Sequence, residues 1–179
     1  MHVMKFEAVD SRRLDASSRR ALRELWAAAY GDRFSDDDAD HAYGGVHVIA
    51  YDGLIPIAHA SAIPRQIRFG EKWQETAYVE AVATAPTRQH SGVGTAVMRR
   101  LHDQIRNRWP VAMLSTGRAA GFYERLGWER WGGTSFTLTE AGARPDNEHG
   151  GLMVLRLDPL AVPDLTVDVT CKDRPGDAW

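Results

Sequence analysis

The chain has little cysteine and no long hydrophobic run. Its 179 residues include one cysteine, Cys171, which excludes an internal disulfide and a CxxC metal site. No segment approaches the ~20 consecutive apolar residues of a membrane span. Residues 1–10 also lack the apolar core of a secretion signal. We therefore expect a cytoplasmic protein that does not bind membranes.

An excess of charge of one sign is also missing. The formal net charge is −2, so the chain has no basic field with which to bind nucleic acid. The seven histidines show no HxxxH spacing and no cysteine partner, and we expect no metal site. The apolar content of 44% and charged content of 26% are typical of a folded protein. The length suits one domain over residues 1–179.

Apolar spacing and turn residues predict helices that lie between runs of hairpins, which indicates a mixed α+β domain. Helices are expected from Asp15 or Ser17 through Tyr30, from Ser35 to just before Gly44, and over residues 92–108 and 119–126. Asp52-Gly53 predicts a tight hairpin. The predicted strands are residues 4–9, 46–51, 54–68, 75–84, 111–114, 128–138 and 152–157, with a polar loop over 139–151 and a turn-rich tail.

The segment TRQHSGVGTAV places two glycines at the start of the 92–108 helix, directly after a predicted strand. A helix start presents unpaired N–H groups and a positive dipole end, which suit a phosphate. A Walker loop needs a lysine that is absent here, and the dinucleotide fingerprint needs a third glycine where Val97 stands. Neither of these phosphate loops therefore explains the segment.

Two motifs together resemble the GNAT superfamily of acyl-CoA-dependent N-acetyltransferases. The first is Gln89-x-x-Gly92-x-Gly94, and the second is AAGFYERLGW over residues 119–128. The resemblance implies a GNAT fold with a mixed, mostly antiparallel central sheet flanked by helices. It also implies acetyl-CoA as co-substrate, bound by Val82, Ala83, Arg88, Gln89, Gly92, Val93, Gly94 and Thr95. The alternative is an ordinary glycine-rich helix start.

A closer resemblance is to the aminoglycoside 2′-N-acetyltransferases. It is carried by the acidic stretch after Phe34 and by the ending Cys171-x-x-Arg174-x-Gly176-Asp177-x-Trp179. The family implies acetyl transfer to the 2′ amine of an aminoglycoside, antibiotic resistance and a homodimer. Because an aminoglycoside is a polycation, carboxylates should line its site. The matching positions are Asp38, Glu148, Asp177 and the terminal carboxylate of Trp179.

The same resemblance implies direct acetyl transfer, with no acyl-enzyme. Glu80 matches the proposed general base, acting through water, and Tyr123 matches the acid that protonates the departing thiolate. Each residue also has an alternative explanation in which its role is only structural. Glu80 could be a surface acid that balances the charge of Arg65 or Arg68, and Tyr123 could be a core residue. The acids of residues 36–40 could simply cap a helix.

The chain departs from the family pattern where the sugar should bind. Arg33 and Lys172 add positive charge there, which an acceptor with fewer ammonium groups, such as kasugamycin, would tolerate. A deoxystreptamine aminoglycoside is the alternative acceptor. Two alternatives remain open at this point. The chain could acetylate a protein or peptide amine, or it could be a non-catalytic acyl-CoA sensor.

Overall fold

The computed structural model describes residues 4–146, 150–162 and 164–179. Its α-helices are Ala16–Tyr30 (α1), Asp36–His41 (α2), Val93–Ile105 (α3) and Ala120–Glu124 (α4). Its strands are Met4–Asp10 (β1), Val46–Asp52 (β2), Ile55–Phe69 (β3), Lys72–Thr84 (β4), Val111–Ser115 (β5), Glu129–Arg130 (β6), Ser135–Thr139 (β7), Gly142–Pro145 (β8), Leu152–Arg156 (β9) and Val169–Lys172 (β10). Short 3₁₀ helices cover Ser11–Arg13, Gly31–Arg33 and Pro86–Arg88.

The helix starts follow the capping signals of the sequence. Asp15, and not Ser17, caps α1, because its carboxylate accepts a hydrogen bond from the backbone N–H of Ser18. Ser35 caps α2 in the same way, with Asp38 completing a capping box. The periodic apolar residues of α3 are buried, as the helical spacing predicts.

Three sequence expectations were wrong in detail. The strand expected over 128–138 is interrupted, and β6 and β7 pair with different neighbours. The polar loop expected over 139–151 contains β8, a fully exposed strand whose residues carry no apolar alternation. The tail, which was expected to be rich in turns and for which no strand was predicted, contains β10. Its four residues pair with strands far away in the sequence, so no local pattern marks them.

The chain divides into two compact units. The first comprises the described residues up to Ile63 together with Val79–Ile105. In it β1 pairs antiparallel with β2, and β2 pairs antiparallel with β3. α3 packs against β1 and β2. A core around the fully buried Trp26 joins α1 to residues of β2 and β4, including Ile49 and Ala83.

The second unit comprises Pro64–Tyr78 and Arg106–Trp179. Here β4 pairs parallel with β5, and β9 joins β5 to β6 through antiparallel pairs. β10 pairs antiparallel with β3 and parallel with β7, which forms a hairpin with β8. The described strands thus form mixed but mostly antiparallel pairs, and together with the helices they confirm the predicted α+β fold.

None of the helices in the described part of the chain is long and apolar enough to span a membrane.

Candidate active site

The centre of the candidate site is a backbone irregularity at the end of β4. Ala81 has a φ of 49°, in the left-handed region that residues with a Cβ avoid. The carbonyls around it are held by side chains of the same unit. The donors are Ser61 Oγ to Glu80 O at 3.3 Å, His59 Nδ1 to Ala81 O at 2.8 Å and the Tyr30 hydroxyl to Val82 O. A break in extended geometry therefore lies directly beside the predicted base, Glu80.

Two predicted site residues act electrostatically on the Tyr30 hydroxyl. Burial raises its pKa far above the ordinary value, and the negative charges of Glu80 and Asp38 raise that pKa further, while Arg33 lowers it. Both carboxylates are therefore close enough to act electrostatically on one hydroxyl group. The first unit thus brings together Asp38, predicted to bind the acceptor, and Glu80, predicted to be the base. Tyr30 itself carried no sequence signal.

Asp38 has a structural role as well. Its Oδ2 accepts hydrogen bonds from the backbone N–H and the hydroxyl of Ser35, each at 2.8 Å. Asp36 and Asp40 instead form ion pairs with Arg23 at 2.8 and 3.4 Å and are largely exposed. For these two acids the capping and solvated-surface interpretation holds, whereas Asp38 both caps α2 and acts on Tyr30.

The predicted pyrophosphate loop leads into α3 with two residues in left-handed conformations. His90 has φ 60° and Gly92 has φ 85°. The Gly92 carbonyl accepts the first helical bond, from Ala96 N–H at 3.0 Å. A Cβ built at Gly92 would meet nothing within 4 Å. The N–H groups of the first turn, which includes Val93, Gly94 and Thr95, have no intrahelical partner by helix geometry. The loop therefore has the open approach and the donors that a phosphate needs.

Arg88 and Gln89, predicted to flank the pyrophosphate, differ in their surroundings. The Arg88 guanidinium forms an ion pair with Asp52 at the end of β2, and the backbone N–H of Arg88 donates to Ala85 O at 2.8 Å. Gln89 is exposed. Arg88 therefore stabilises the loop in this structure, and a direct role of either residue toward phosphate stays a prediction.

In the second unit, Tyr123 lies on α4 with 6% of its surface exposed. Its ring makes edge contacts with Phe122 and Trp128, with centroid distances of 5.0 and 6.0 Å. Of the two adjacent aromatic residues on α4, Tyr123 is the one that is buried. Its predicted role as an acid remains a prediction.

The C-terminal segment is held by hydrogen bonds that the sequence did not reveal. Trp179 is 4% exposed, and its indole N–H donates to Asp146 Oδ2 at 3.0 Å. The same carboxylate accepts a hydrogen bond from the Thr137 hydroxyl. Asp177 is exposed and accepts the backbone N–H of Trp179 at 3.1 Å. Asp146 lies in the stretch that the sequence assigned to a polar loop, so it was missed, and Glu148 lies outside the described residues.

Arg65 also anchors this segment. Its Nη2 donates to Ala178 O at 2.8 Å and to Lys172 O at 3.3 Å. The guanidinium lies 4.6 Å from the ring centroid of Tyr78, and Arg174 lies 5.7 Å from the same centroid. Stacked arginines of this kind fix the tail through geometry as well as charge.

Two further observations concern chemistry that the site could use. Burial raises the pKa of the Cys171 thiol, which disfavours the thiolate that a nucleophilic cysteine requires. In residues 4–146, 150–162 and 164–179, no three His, Cys, Asp or Glu side chains are grouped so that they could hold a metal ion.

Comparison with known proteins agrees with this geometry. The family of the "Acetyltransferase (GNAT) domain" matches residues 10–131. An "Aminoglycoside 2'-N-acetyltransferase" of Mycolicibacterium fortuitum is 34% identical over 174 residues, which cover 93% of this chain and 87% of that protein.

Two solved structures show the same fold at low identity. One is a GNAT family N-acetyltransferase of Escherichia coli in complex with CoA, with a TM-score of 0.66 and 15% identity over 98% of this chain and 93% of that chain. The other is a GNAT family acetyltransferase of Brucella melitensis in complex with acetyl-CoA, with a TM-score of 0.58 and 18% identity over 72% of this chain and 84% of that one. The family match, the extended identity and the fold agree, and the chain belongs to the GNAT family as an N-acetyltransferase that transfers acetyl to an amine.

Proposed function

We propose that the chain transfers the acetyl group of acetyl-CoA to the 2′-amino group of an aminoglycoside, and so confers resistance. The observation that carries this proposal is that the carboxylates of Asp38 and Glu80 both act electrostatically on the buried Tyr30 hydroxyl. Two carboxylates that act on one buried hydroxyl group suit a substrate that carries several ammonium groups. The M. fortuitum relative, named for this reaction and similar over most of the chain, supports the same acceptor.

The residues at the start of α3 fit the diphosphate of acetyl-CoA. Gly92 leaves the approach open, because no atom beyond its immediate chain neighbours lies within 4 Å of the position of a Cβ. Backbone N–H groups of Gly92, Val93, Gly94 and Thr95 would bind the phosphate oxygens, with Arg88 and Gln89 beside them. The N–H groups of Val82 and Ala83, just after the left-handed Ala81, would receive the thioester carbonyl as negative charge grows on its oxygen.

The transfer requires three proton movements. The acceptor amine is an ammonium ion at neutral pH, and Glu80 takes its proton directly or through one water. The neutral nitrogen attacks the thioester carbon, so that a C–N bond forms and the C–S bond breaks. Tyr123 donates its phenolic proton to the departing thiolate, and the newly bonded nitrogen loses its second proton, through water, to the Tyr123 phenolate. The products are the N-acetyl amine and CoA as a thiol.

The charges near the acceptor favour a substrate with fewer ammonium groups. Arg33 acts electrostatically on the Tyr30 hydroxyl in the opposite sense to Asp38 and Glu80. In the second unit, Lys172 lies 5.6 Å from the ring centroid of Trp73 and adds positive charge to the tail that contains Asp177. We therefore propose a kasugamycin-type acceptor, with Asp38, Asp177, Glu148 and the terminal carboxylate of Trp179 as binding groups.

A panel assay tests the proposal. Purified protein is mixed with acetyl-CoA and kasugamycin, gentamicin, tobramycin or a peptide amine, and the released CoA thiol is measured. The acetylated position is then assigned by NMR. We expect turnover of an aminoglycoside at its 2′ amine, and a loss of kcat of at least about 100-fold in Glu80→Gln. Glu71→Gln, an exposed acid before β4, should keep the wild-type rate.

The outcomes separate the alternatives. Faster turnover of the peptide than of any aminoglycoside would contradict the proposed acceptor. Efficient acetylation of gentamicin with none of kasugamycin would remove the kasugamycin preference and leave the aminoglycoside function in place. Binding of acetyl-CoA without turnover of any acceptor would favour the alternative that the chain is a non-catalytic acyl-CoA sensor.

A further inference from the structure

A buried chain of polar side chains runs through the first unit to the carbonyl of the left-handed residue Ala81. Ser11 is 4% exposed, and His47 and His59 are both 0% exposed. Ser11 Oγ lies 2.7 Å from His47 Nε2, and His47 Nδ1 lies 2.9 Å from His59 Nε2. His59 Nδ1 lies 2.8 Å from Ala81 O. These contacts connect a 3₁₀ helix, β2, β3 and β4 in one hydrogen-bonded line.

The partners at the two ends fix the direction of these hydrogen bonds. Ala81 O can only accept, so His59 Nδ1 carries the proton and donates it. His59 Nε2 then accepts from His47 Nδ1–H, which leaves His47 Nε2 as an acceptor for the Ser11 hydroxyl. Ser11 Oγ already accepts the N–H groups of Gly44 and Gly45, at 2.9 and 3.1 Å. The Ser11 hydroxyl therefore donates its own proton to His47 Nε2.

Two competing contacts do not reverse this direction. Ser11 Oγ also lies 3.1 Å from Gly45 O, but that carbonyl accepts the Ser11 N–H at 2.9 Å, and the contact to His47 is shorter. The Trp26 indole N–H lies 3.2 Å from His59 Nδ1, and it could donate there only if the whole line ran the other way. Ser11 Oγ would then receive three donors, one more than its two lone pairs can take.

Both histidines are held neutral, as this arrangement requires. Burial lowers the pKa of His47 and of His59, and the proximity of the two rings lowers that of His59 further. A neutral imidazole has one donor and one acceptor nitrogen, so each ring passes the hydrogen bond on in one direction. The Ser11 hydroxyl, the four ring nitrogens and the Ala81 carbonyl each have a hydrogen-bond partner along this line.

We propose that Ser11, His47 and His59 are positioning residues for acetyl transfer, which hold the Ala81 carbonyl and thereby the backbone that orients Glu80, Val82 and Ala83. The inference rests on the proposed function, in which Glu80 is the base and the N–H groups of Val82 and Ala83 receive the thioester oxygen. A left-handed alanine is unfavourable and persists only where its surroundings hold it. His59 supplies that restraint through the carbonyl of the strained residue itself.

Two substitutions of His59 separate positioning from packing. The amide nitrogen of asparagine lies near the place of Nδ1, so His59→Asn keeps a donor for Ala81 O. The amide of glutamine lies near the place of Nε2, so His59→Gln keeps the contact with His47 and loses the donor to Ala81 O. Both variants lose the ring and one link of the line, and they should lose similar thermal stability.

Steady-state kinetics with the best acceptor of the panel should distinguish the two variants by their kcat. We expect His59→Gln to lower kcat by about tenfold with both KM values within about twofold, because the reacting groups are displaced and not removed. His59→Asn should retain kcat within about threefold. If kcat instead falls equally in both variants, or falls in neither, the positioning role is wrong.

Backbone amide NMR provides a readout that needs no acceptor. In His59→Gln the signals of Val82 and Ala83 should shift, and in His59→Asn they should stay near their wild-type positions. Unmoved signals in His59→Gln would overturn the inference even if the panel finds an acceptor. Shifted signals in an enzyme that acetylates no aminoglycoside would instead support the positioning while the proposed acceptor fails.

Discussion

Asp38 shows how one side chain can serve both the fold and the site. Its Oδ2 closes the capping box with Ser35, and its charge acts on the Tyr30 hydroxyl beside Glu80. The capping role follows from the sequence, because Ser35 precedes an acidic first turn. The electrostatic role requires α1, α2 and β4 to be placed together. A change in Asp38 can therefore affect stability, acceptor binding or both.

We predict that Asp38→Asn raises the KM for the acceptor by about tenfold, equivalent to about 1.4 kcal/mol, and leaves the KM for acetyl-CoA unchanged. The asparagine oxygen can still accept the bonds of Ser35, so little stability should be lost. Ser35→Ala is the matched control. It removes the cap at a cost of about 1 kcal/mol and keeps the charge, so it should lower the melting temperature and spare the acceptor KM. The same KM increase in both variants would mean that Asp38 acts only as a cap.

The residues that the sequence could and could not reveal differ in kind. Asp38, Glu80 and the loop from Arg88 to Thr95 were predicted as site residues because the family resemblance marks their positions, and their roles stay predictions. Tyr30, His59 and Asp146 were not found, since a single tyrosine, histidine or aspartate has no spacing to recognise. Their roles arise from non-local contacts, such as that between Tyr30 and Val82 O, which only the folded chain creates.

Among the elements, those with strong local signals were predicted and those that depend on distant partners were not. The α3 helix and the Asp52-Gly53 hairpin carry apolar periodicity or a turn dipeptide, and both were confirmed. β10 is defined by pairing with β3 and β7, and β8 by its hairpin with β7. Because register and partner set these strands, short polar or turn-rich stretches hide them.

The start of α3 is the element whose function is most directly testable. Gly92 has φ 85° and open space where a Cβ would lie, so Gly92→Ala introduces backbone strain of about 1–3 kcal/mol together with a methyl group where phosphate should approach. We predict a rise of about tenfold or more in the KM for acetyl-CoA, with a smaller change in the acceptor KM. Steady-state kinetics and titration with CoA measure both.

Gly142→Ala controls for the strain alone. Gly142 has φ 115° and equally open surroundings, but it lies in the β7–β8 hairpin. It should lose comparable stability and keep the acetyl-CoA KM of the wild type. Equal KM values for both variants and the wild type would contradict phosphate binding at this helix start.

At the scale of the whole molecule, the buried histidines make stability depend on pH. The pKa of His47 falls from 6.5 to about 4, mainly through burial and also through the charge of Arg19, with Asp10 opposing. The pKa of His59 falls from 6.5 to about 3, through burial and then through His47, with the Ala81 carbonyl opposing. Between about pH 6.5 and pH 4 the unfolded chain therefore binds more protons than the folded chain, and acid favours unfolding.

We predict that the free energy of unfolding is fully retained above pH 6.5. It should fall progressively as the pH decreases from about 6.5 to about 4. Each histidine should account for roughly 1–2 kcal/mol of the loss in unfolding free energy by pH 5. Urea unfolding at pH 7.5 and pH 5 measures the loss.

His59→Asn removes one of the two titrating groups, so the difference in unfolding free energy between the two pH values should shrink even though the variant is less stable at both. His90→Asn removes an exposed histidine at a left-handed position that asparagine tolerates, and it should leave the difference unchanged. If the wild type is equally stable at both pH values, the two rings are not held neutral in the folded chain, and the direction of the hydrogen bonds from Ser11 to Ala81 must be revised.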